Sequence, residues 1–336
     1  MRAYYVQAPL RFELRDIDPG PLGADEALVE VRACGVCGWD VLVATEVAKE
    51  WSGIGHEFSG IVSAVGKAVT AFKPGDPVVV ENSTYCGICR HCKNGDVIHC
   101  ANLLHYLTPS AFAECVRVKA QSMIRCEGLS FEAAALAEPL TVAIDMVEAA
   151  QIPLGASVVV FGPGPIGLMA ARVAKLVGAG KVYLTGHSHS TRRWEVAAQL
   201  GVDQCVKVDE IDVRGYFAQA EPDGVDRVLV TSAPATVADA AVIARFGGII
   251  TYDGIKFDGS ETIQLDGNAF HFKRLQLRGV HSIPNLGWPK ALDLLRKRLI
   301  DPDLFITHRY GFDEIPEAVS FAARNRRDTV KVMVNF

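Results

Sequence analysis

The chain lacks long apolar runs and an excess of positive charge. It has no stretch of the roughly 18 apolar residues that a membrane-spanning helix requires. Its 34 Lys and Arg residues are outnumbered by 39 Asp and Glu residues, and the formal charge of −5 argues against nucleic acid or an acidic membrane as partner. Residues 1–6 lack the charged start and the apolar stretch of about 7–15 residues of a signal peptide. We therefore expect a soluble, cytoplasmic protein.

The cysteines are few and odd in number. Nine cysteines cannot all pair as disulfides. In a reducing compartment, clustered cysteines indicate a bound metal more often than a disulfide. At roughly 150 residues per domain, the 336 residues predict about two domains.

Two hydrophobic patterns divide the chain. Residues 1 to about 120 contain short segments that alternate apolar and polar residues between turns, which predicts a mostly β domain. From about residue 155, short apolar strands alternate with helices, which predicts an α/β domain with a doubly wound parallel sheet. A helix capped by Ser130 should precede this region. Further helices are expected at 166–177, 193–200 and 236–246, and a single helix, 289–298, is expected after residue 284.

Four cysteines form a C-x2-C-x2-C-x7-C array. The array consists of Cys86, Cys89, Cys92 and Cys100. Four thiolates suit a closed, tetrahedral zinc site that has a structural role. An iron–sulfur cluster also uses four thiolates, and a chance group of free thiols is the remaining alternative. The short spacings favour structural zinc.

A second set of ligand types is dispersed along the chain. Cys34 and Cys37 end a predicted strand, His56 and Glu57 follow about twenty residues later, and Glu138 comes later still. Each is a weak signal alone. Together they supply thiolate, imidazole and carboxylate, and a catalytic zinc takes three such ligands with an open position.

A glycine-rich turn follows the apolar strand at 158–161 and opens a helix. Its sequence is G-x-G-x-x-G. In this context the glycines let backbone N–H groups approach a pyrophosphate at a helix N-terminus, so the motif predicts dinucleotide binding. The expected contacts are Gly162, Gly164, Pro165, Ile166 and Gly167.

The next strand ends without the acidic residue that an NAD-preferring site carries. Gly186 stands at this position. Without a carboxylate, a 2′-phosphate is not repelled, and hydroxyl and guanidinium groups can bind it. We therefore predict NADP in preference to NAD, with Ser188 and Arg192 or Arg193 as phosphate contacts.

With these motifs in this order, the chain resembles the zinc-containing medium-chain alcohol dehydrogenases, in particular their polyol (sorbitol-like) and secondary-alcohol branches. The resemblance covers nearly the whole chain, including a Glu-Pro-Leu segment at 138–140. It implies a mostly β, GroES-like catalytic domain at 1–145 and 284–336. It also implies a dinucleotide-binding Rossmann domain at 146–283, with zinc and nicotinamide in the cleft between the two domains.

The resemblance also implies roles for individual residues. Cys37 and His56 match the family's catalytic zinc ligands, and Asp40 matches a partner that orients the histidine. The third ligand is Glu57 or Glu138, or the two exchange. We favour Glu138 as ligand or water-holding base and Glu57 as a nearby exchanging ligand.

Trp39 departs from the family pattern. The family commonly has serine or threonine here, whose hydroxyl relays the substrate proton, and an indole is a donor only. We expect the proton to leave through Glu138 and Trp39 to shape the substrate pocket; the alternative is that Trp39 only packs in the core. His105 and Tyr106 could line the same cleft.

Four cysteines belong to no motif and are expected to be buried: Cys34, Cys115, Cys126 and Cys205.

The implied reaction is interconversion of a secondary alcohol and its ketone, with a polyol, sugar or cyclitol as the first expectation and a simple secondary alcohol as the second. A homodimer or homotetramer is expected. The alternatives are a zinc-free reductase of the same superfamily and a cofactor-binding protein without turnover. A zinc module that binds nucleic acid is the third alternative, and the acidic charge opposes it.

Overall fold

The computed structural model describes residues 1–105, 109–283, 286–325 and 327–336. Within these residues the chain forms two compact units, Met1–Thr141 with Ser282–Phe336, and Val142–His281. The first unit therefore contains both ends of the chain. Its first boundary falls inside a continuous helix, Ala137–Ala150, a few residues before the position 145/146 that we expected.

The described residues up to 150 form ten strands and four α-helices, the last of which crosses into the second unit. The strands are β1 (Arg2–Gln7), β2 (Arg11–Asp16), β3 (Glu26–Gly35), β4 (Ser52–Gly53), β5 (Glu57–Val65), β6 (Pro77–Val80), β7 (Ser83–Thr84), β8 (Leu104–His105), β9 (Cys115–Lys119) and β10 (Met123–Arg125). The helices are α1 (Gly38–Leu42), α2 (Arg90–Lys93), α3 (Phe131–Ala135) and α4 (Ala137–Ala150). Ser130 caps α3 as predicted, because its side chain accepts a hydrogen bond from the Ala133 N–H.

The long strand β3 organises this unit. Its side chains alternate between buried and half-buried, so one face packs into the core. It pairs antiparallel with β5 and β9. The resulting core is rich in valine and includes Val29, Val31, Phe58 and Phe112.

The second unit alternates strands and helices. Its elements are β11 (Ser157–Phe161), α5 (Pro165–Leu176), β12 (Lys181–Gly186), α6 (Thr191–Gln199), β13 (Gln204–Lys207), α7 (Val213–Ala220), β14 (Val225–Val230), α8 (Thr236–Ile243), β15 (Ala244–Tyr252), α9 (Gly267–Phe272) and β16 (Gln276–Gly279). The described strands form a parallel sheet in the order β13-β12-β11-β14-β15-β16. This confirms the predicted doubly wound sheet.

The chain then returns to the first unit through α10 (Trp288–Arg296), α11 (Pro302–Phe305), β17 (Ile306–Gly311), α12 (Ile315–Arg324) and β18 (Lys331–Asn335). Strand β18 pairs parallel with β17 and antiparallel with β3. The last strand is therefore a neighbour of the strand that leads to Cys37.

Two expectations about helices were wrong. The helix expected at 236–246 ends at Ile243, because Ala244 instead pairs with Val225 and begins β15. The region after 284 has α11 and α12 in addition to the one expected helix. Helix α12 buries Ile315, Ala318 and Val319, a helical spacing that is visible in the sequence.

None of the helices in the described ranges is long and apolar enough to cross a membrane.

Candidate active site

A reciprocal cap positions Cys37 at the start of α1. The Cys37 Sγ accepts from the Trp39 N–H at 3.4 Å, and the Asp40 Oδ2 accepts from the Cys37 N–H at 2.9 Å. These hydrogen bonds hold the Cys37 thiol and the Asp40 carboxylate in place between the end of β3 and the start of α1. The thiol remains half-buried, so it can reach a bound ion.

Asp40 also orients His56. Its Oδ1 accepts from the Gly55 N–H at 2.9 Å and lies 3.3 Å from the Nδ1 of His56. Burial alone would raise the pKa of Asp40, but His56 and the two backbone N–H groups outweigh burial and hold this pKa below its usual range. With Nδ1 facing the carboxylate, the Nε2 of His56 is directed away and is available to a metal.

Glu57 is the first residue of β5 and forms a buried ion pair with Lys331. The Lys331 Nζ lies 2.7 and 2.6 Å from the two Glu57 oxygens and also donates to the Val36 carbonyl at 3.2 Å. Burial lowers the pKa of Lys331, but the charge and hydrogen bonds of Glu57, together with the nearby Cys37 and Glu138, outweigh burial and keep this pKa above its usual value. The ion pair therefore neutralises much of the negative charge of Glu57.

The structure brings three of the four expected ligands together. The ligand atoms of Cys37, His56 and Glu57 all lie within 4.8 Å of one another. One thiolate, one imidazole and one carboxylate form a set that zinc accepts, and Cys37 and His56 retain some exposure. The donor set thus fits a zinc ion with a position left open.

Glu138 lies close by but outside this group of three. It is half-buried in the first turn of α4, with its Oε1 3.5 Å from the Nδ2 of Asn82. Burial raises its pKa to about 7, although the nearby His56 opposes the rise. A carboxyl group with such a pKa can accept or release a proton near neutral pH.

Trp39 does not pack in the core. Its side chain is 39% exposed, two residues from Cys37 on α1. Tyr106 and the side chain of His105 lie outside the described residues.

The four-cysteine lobe, residues 86–100, has the geometry of a tetrahedral site. The Sγ–Sγ distances are 4.0 Å for Cys86–Cys92, 3.5 Å for Cys89–Cys92 and 3.6 Å for Cys86–Cys100. Four sulfurs at a Zn–S distance of about 2.3 Å would be about 3.8 Å apart, whereas a disulfide needs about 2.05 Å. Hydrogen bonds from backbone N–H groups, that of Cys92 first, lower the pKa of Cys89 to about 6, which favours the thiolate. The lobe therefore fits one structural zinc ion.

The glycine-rich turn has the shape that a phosphate site needs. Gly162 has a φ of +104°, and a side chain on Gly167 would collide with the Gly162 carbonyl, 1.9 Å from the added Cβ. At Gly164 an added Cβ would meet nothing within 4 Å. Gly164 caps α5, and Pro165 and Ile166 lie in its first turn, where backbone N–H groups lack partners within the helix and can bind an anion.

The end of β12 cannot hold a carboxylate at position 186. An added Cβ there would lie 2.6 Å from the Cγ of Pro163 and 3.0 Å from the ring of Trp194. Glycine is therefore required by packing at this position.

The predicted phosphate contacts already have acidic partners. The Ser188 N–H and hydroxyl donate to the two oxygens of Asp209, at 2.8 and 2.6 Å. Arg192 donates to Glu195 at 2.9 Å. Both arginines lie in the first turn of α6, and Arg193 also has an interaction partner.

Two family models match the chain. One, described as the alcohol dehydrogenase GroES-like domain, matches residues 23–128, and the other, described as zinc-binding dehydrogenase, matches residues 165–297. The sorbitol dehydrogenase of Gallus gallus is 31% identical over 340 residues, which cover 97% of this chain and 93% of that protein. The L-threonine 3-dehydrogenase of Saccharopolyspora erythraea is 32% identical over 343 residues, which cover 97% of each. The chain belongs to the zinc-dependent medium-chain dehydrogenase superfamily.

The fold of this dehydrogenase agrees with a solved relative. A zinc-binding dehydrogenase from Sinorhizobium meliloti 1021, bound to NADP, is 29% identical with a TM-score of 0.89, and the match covers 100% of this chain and 99% of that chain. The expected GroES-like and Rossmann folds are confirmed. The protein is thus an enzyme that interconverts alcohols and ketones.

Sequence reasoning missed two residues beside the candidate zinc site, Lys331 and Asn82, and wrongly expected two of four cysteines to be buried. Lys331 is a lone charge within the apolar segment 330–334, a signal that could have marked it as buried and paired. Asn82 carries no comparable signal. Cys34 and Cys126 are buried as expected and Cys115 is half-buried, but Cys205 is exposed because β13 is the edge strand of its sheet.

Proposed function

We propose that this dehydrogenase interconverts a secondary alcohol and its ketone, most readily a polyol, sugar or cyclitol, with zinc and NADP(H). The close grouping of Cys37, His56 and Glu57, with Asp40 behind the histidine, carries this proposal. Cys37 and His56 would hold the ion, and Glu138 would serve as third ligand or as base, with Glu57 as the exchanging ligand. When bound, zinc would polarise the substrate oxygen and the nicotinamide would exchange hydride with the substrate carbon.

Glu138 is the better of the two glutamates for moving the substrate proton. Glu57 is held on both oxygens by Lys331, whereas Glu138 has the neutral Asn82 as a side-chain partner. A base needs a pKa near the working pH, and that of Glu138 is about 7. In this proposal Glu138 takes the role of the hydroxyl that Trp39 replaces, and Trp39 borders the substrate.

The preference for NADP rests on the end of β12 and the start of α6. Since Pro163 and Trp194 leave no room for a side chain at Gly186, no carboxylate at that position can bind the ribose diol or repel a 2′-phosphate. Arg192 and Arg193 supply positive charge in the first turn of α6. Ser188 would contribute by turning its hydroxyl from Asp209 toward the phosphate.

A substrate screen tests the proposed function. Polyols, sugars, cyclitols and simple secondary alcohols are assayed with NADP and NAD, with and without a zinc chelator, and the mass in solution is measured by light scattering. We expect the highest kcat/KM for a polyol with NADP, loss of turnover with the chelator, and a dimer or tetramer. Turnover that survives removal of all zinc would favour the zinc-free reductases. Cofactor binding without turnover across the panel would favour a sensor.

A further inference from the structure

A third cluster of metal-ligand side chains lies in the other unit of the enzyme. The ligand atoms of His187, His189 and Asp209 are all within 4.8 Å of one another, and all three residues are exposed. The two imidazole rings are stacked, with centroids 5.3 Å apart and an angle of 14° between their planes. The two rings therefore lie side by side in the loop that follows β12.

The carboxylate of this cluster is held in place. The Ser188 N–H donates to Oδ1 of Asp209 at 2.8 Å, and the Ser188 hydroxyl donates to Oδ2 at 2.6 Å. Each carboxylate oxygen accepts one hydrogen bond here and retains a lone pair that could bind an ion.

The fold fixes the backbone on both sides of the cluster. Gly186 and Lys207 are paired in the parallel register of β12 and β13, so His187 and Asp209 follow strand ends at the same edge of the sheet. The His187 carbonyl accepts from the Ser190 N–H at 3.1 Å and from the Trp194 Nε1 at 3.2 Å. The backbone segments that carry the three ligands, one after β12 and one after β13, are therefore anchored before any ion binds.

We propose that His187, His189 and Asp209 bind a divalent transition-metal ion, such as Zn²⁺, in an exposed site separate from the two cysteine-based sites. Two imidazoles and one carboxylate suit such an ion, and three protein ligands leave further positions to water. In the enzyme without bound NADP, in which the Ser188 hydroxyl stays on Asp209, the cation would sit at the strand end that Gly186 leaves without a carboxylate. Its occupancy is expected to be exchangeable, because every ligand is exposed.

Counting bound zinc tests the proposed site. The zinc-loaded enzyme and the variant His187→Ala/His189→Ala are dialysed against micromolar free Zn²⁺, and zinc per chain is measured. We expect the parent to bind one ion more than the variant. The matched control is His91→Ala/His99→Ala, because these histidines also flank a carboxylate, with Nδ1 atoms 3.5 and 2.7 Å from Asp96. Equal counts for parent and variant, or loss of the extra ion only in the control, would overturn the proposal.

A second variant tests the site without removing a ligand. Ser188→Ala leaves the three ligands but removes the hydroxyl that orients Asp209. Loss of such a supporting hydrogen bond weakens metal affinity by about 10–100-fold. Calorimetric titration with Zn²⁺ should show this loss at the weakest site only, in protein whose thermal unfolding matches the parent. An unchanged affinity for that ion would mean that it binds elsewhere.

Discussion

The Nζ of Lys331 lies 2.7 and 2.6 Å from the two carboxylate oxygens of Glu57, and both side chains are almost completely buried. One residue is the first of β5 and the other is the first of β18, and both strands pair with β3. The ion pair thus connects the N-terminal strand β5 to the last strand, β18, close to Cys37 and His56. The same ion pair therefore stabilises the first unit and neutralises negative charge at the proposed zinc site.

Replacement of Lys331 by methionine should destabilise the enzyme strongly. Methionine fills similar space but leaves Glu57 buried without its cation, and removal of one partner of a buried ion pair costs about 3–5 kcal/mol. Urea-induced unfolding of the zinc-loaded protein measures this loss. The double variant Lys331→Met/Glu57→Gln should regain part of the stability, since no unpaired charge remains. A loss below about 1 kcal/mol in the single variant would show that water reaches Glu57.

Replacement of Asp40 by asparagine should weaken zinc binding at Cys37 and His56. The amide preserves the size of the side chain but removes the negative charge beside the Nδ1 of His56, 3.3 Å away. Disturbing such a partner lowers metal affinity by about 10–100-fold. Competition with a chromophoric chelator measures the affinity. The zinc in the four-cysteine lobe serves as the internal control and should be retained with unchanged affinity.

The sequence was most informative where residue spacing alone determines proximity. The four cysteines lie within one loop of 15 residues, and the glycine motif lies within six, so their geometry follows from local chain shape. The structure accordingly brings the Sγ atoms of the lobe to distances of 3.5–4.0 Å. The doubly wound sheet could be predicted equally well, because its strands are short apolar runs between amphipathic helices.

Sequence patterns could not predict pairs of residues that come together only in the tertiary structure. Lys331 reaches Glu57 across 274 positions of the chain, and Asp209 reaches Ser188 only because β12 and β13 are neighbours in the sheet. The predicted end of α8 at residue 246 was wrong for the same reason, since pairing between Ala244 and Val225 overrides the local helical pattern.

Replacement of Glu138 by glutamine should lower turnover while zinc stays bound. The amide cannot accept the substrate proton, and loss of a general base typically lowers the rate by about 10²–10⁴-fold. Steady-state kcat together with metal analysis tests this. Glu148→Gln is the matched control, because Glu148 lies on the same helix but is exposed, and it should retain full activity. Full turnover of the zinc-loaded Glu138→Gln variant would exclude Glu138 from the proton path.

Removal of the two arginines at the start of α6 should reduce the preference for NADP. In Arg192→Ala/Arg193→Ala, charge-assisted hydrogen bonds to the 2′-phosphate are lost, each worth about 1.5–3 kcal/mol, or roughly 10–100-fold in affinity. The kcat/KM for NADPH should fall by at least that factor, and the value for NADH should be almost unchanged. Arg214→Ala, an exposed arginine of the same unit that pairs with Asp239, is the control. An equal fall with both cofactors would indicate damage to the fold.

Replacement of Cys89 by serine should empty the four-cysteine lobe without removing zinc from Cys37 and His56. Serine is a poor zinc ligand in a thiolate site, and the short elements of the lobe, α2 and the 3₁₀ turn Val97–His99, have no buried side chains of their own to hold them. Metal analysis should show one zinc ion fewer per chain. Limited proteolysis should become faster within residues 86–100, whereas Cys205→Ser, which alters an exposed thiol in the other unit, should change neither measurement. An unchanged zinc content in the Cys89 variant would show that the remaining three cysteines suffice to hold the ion.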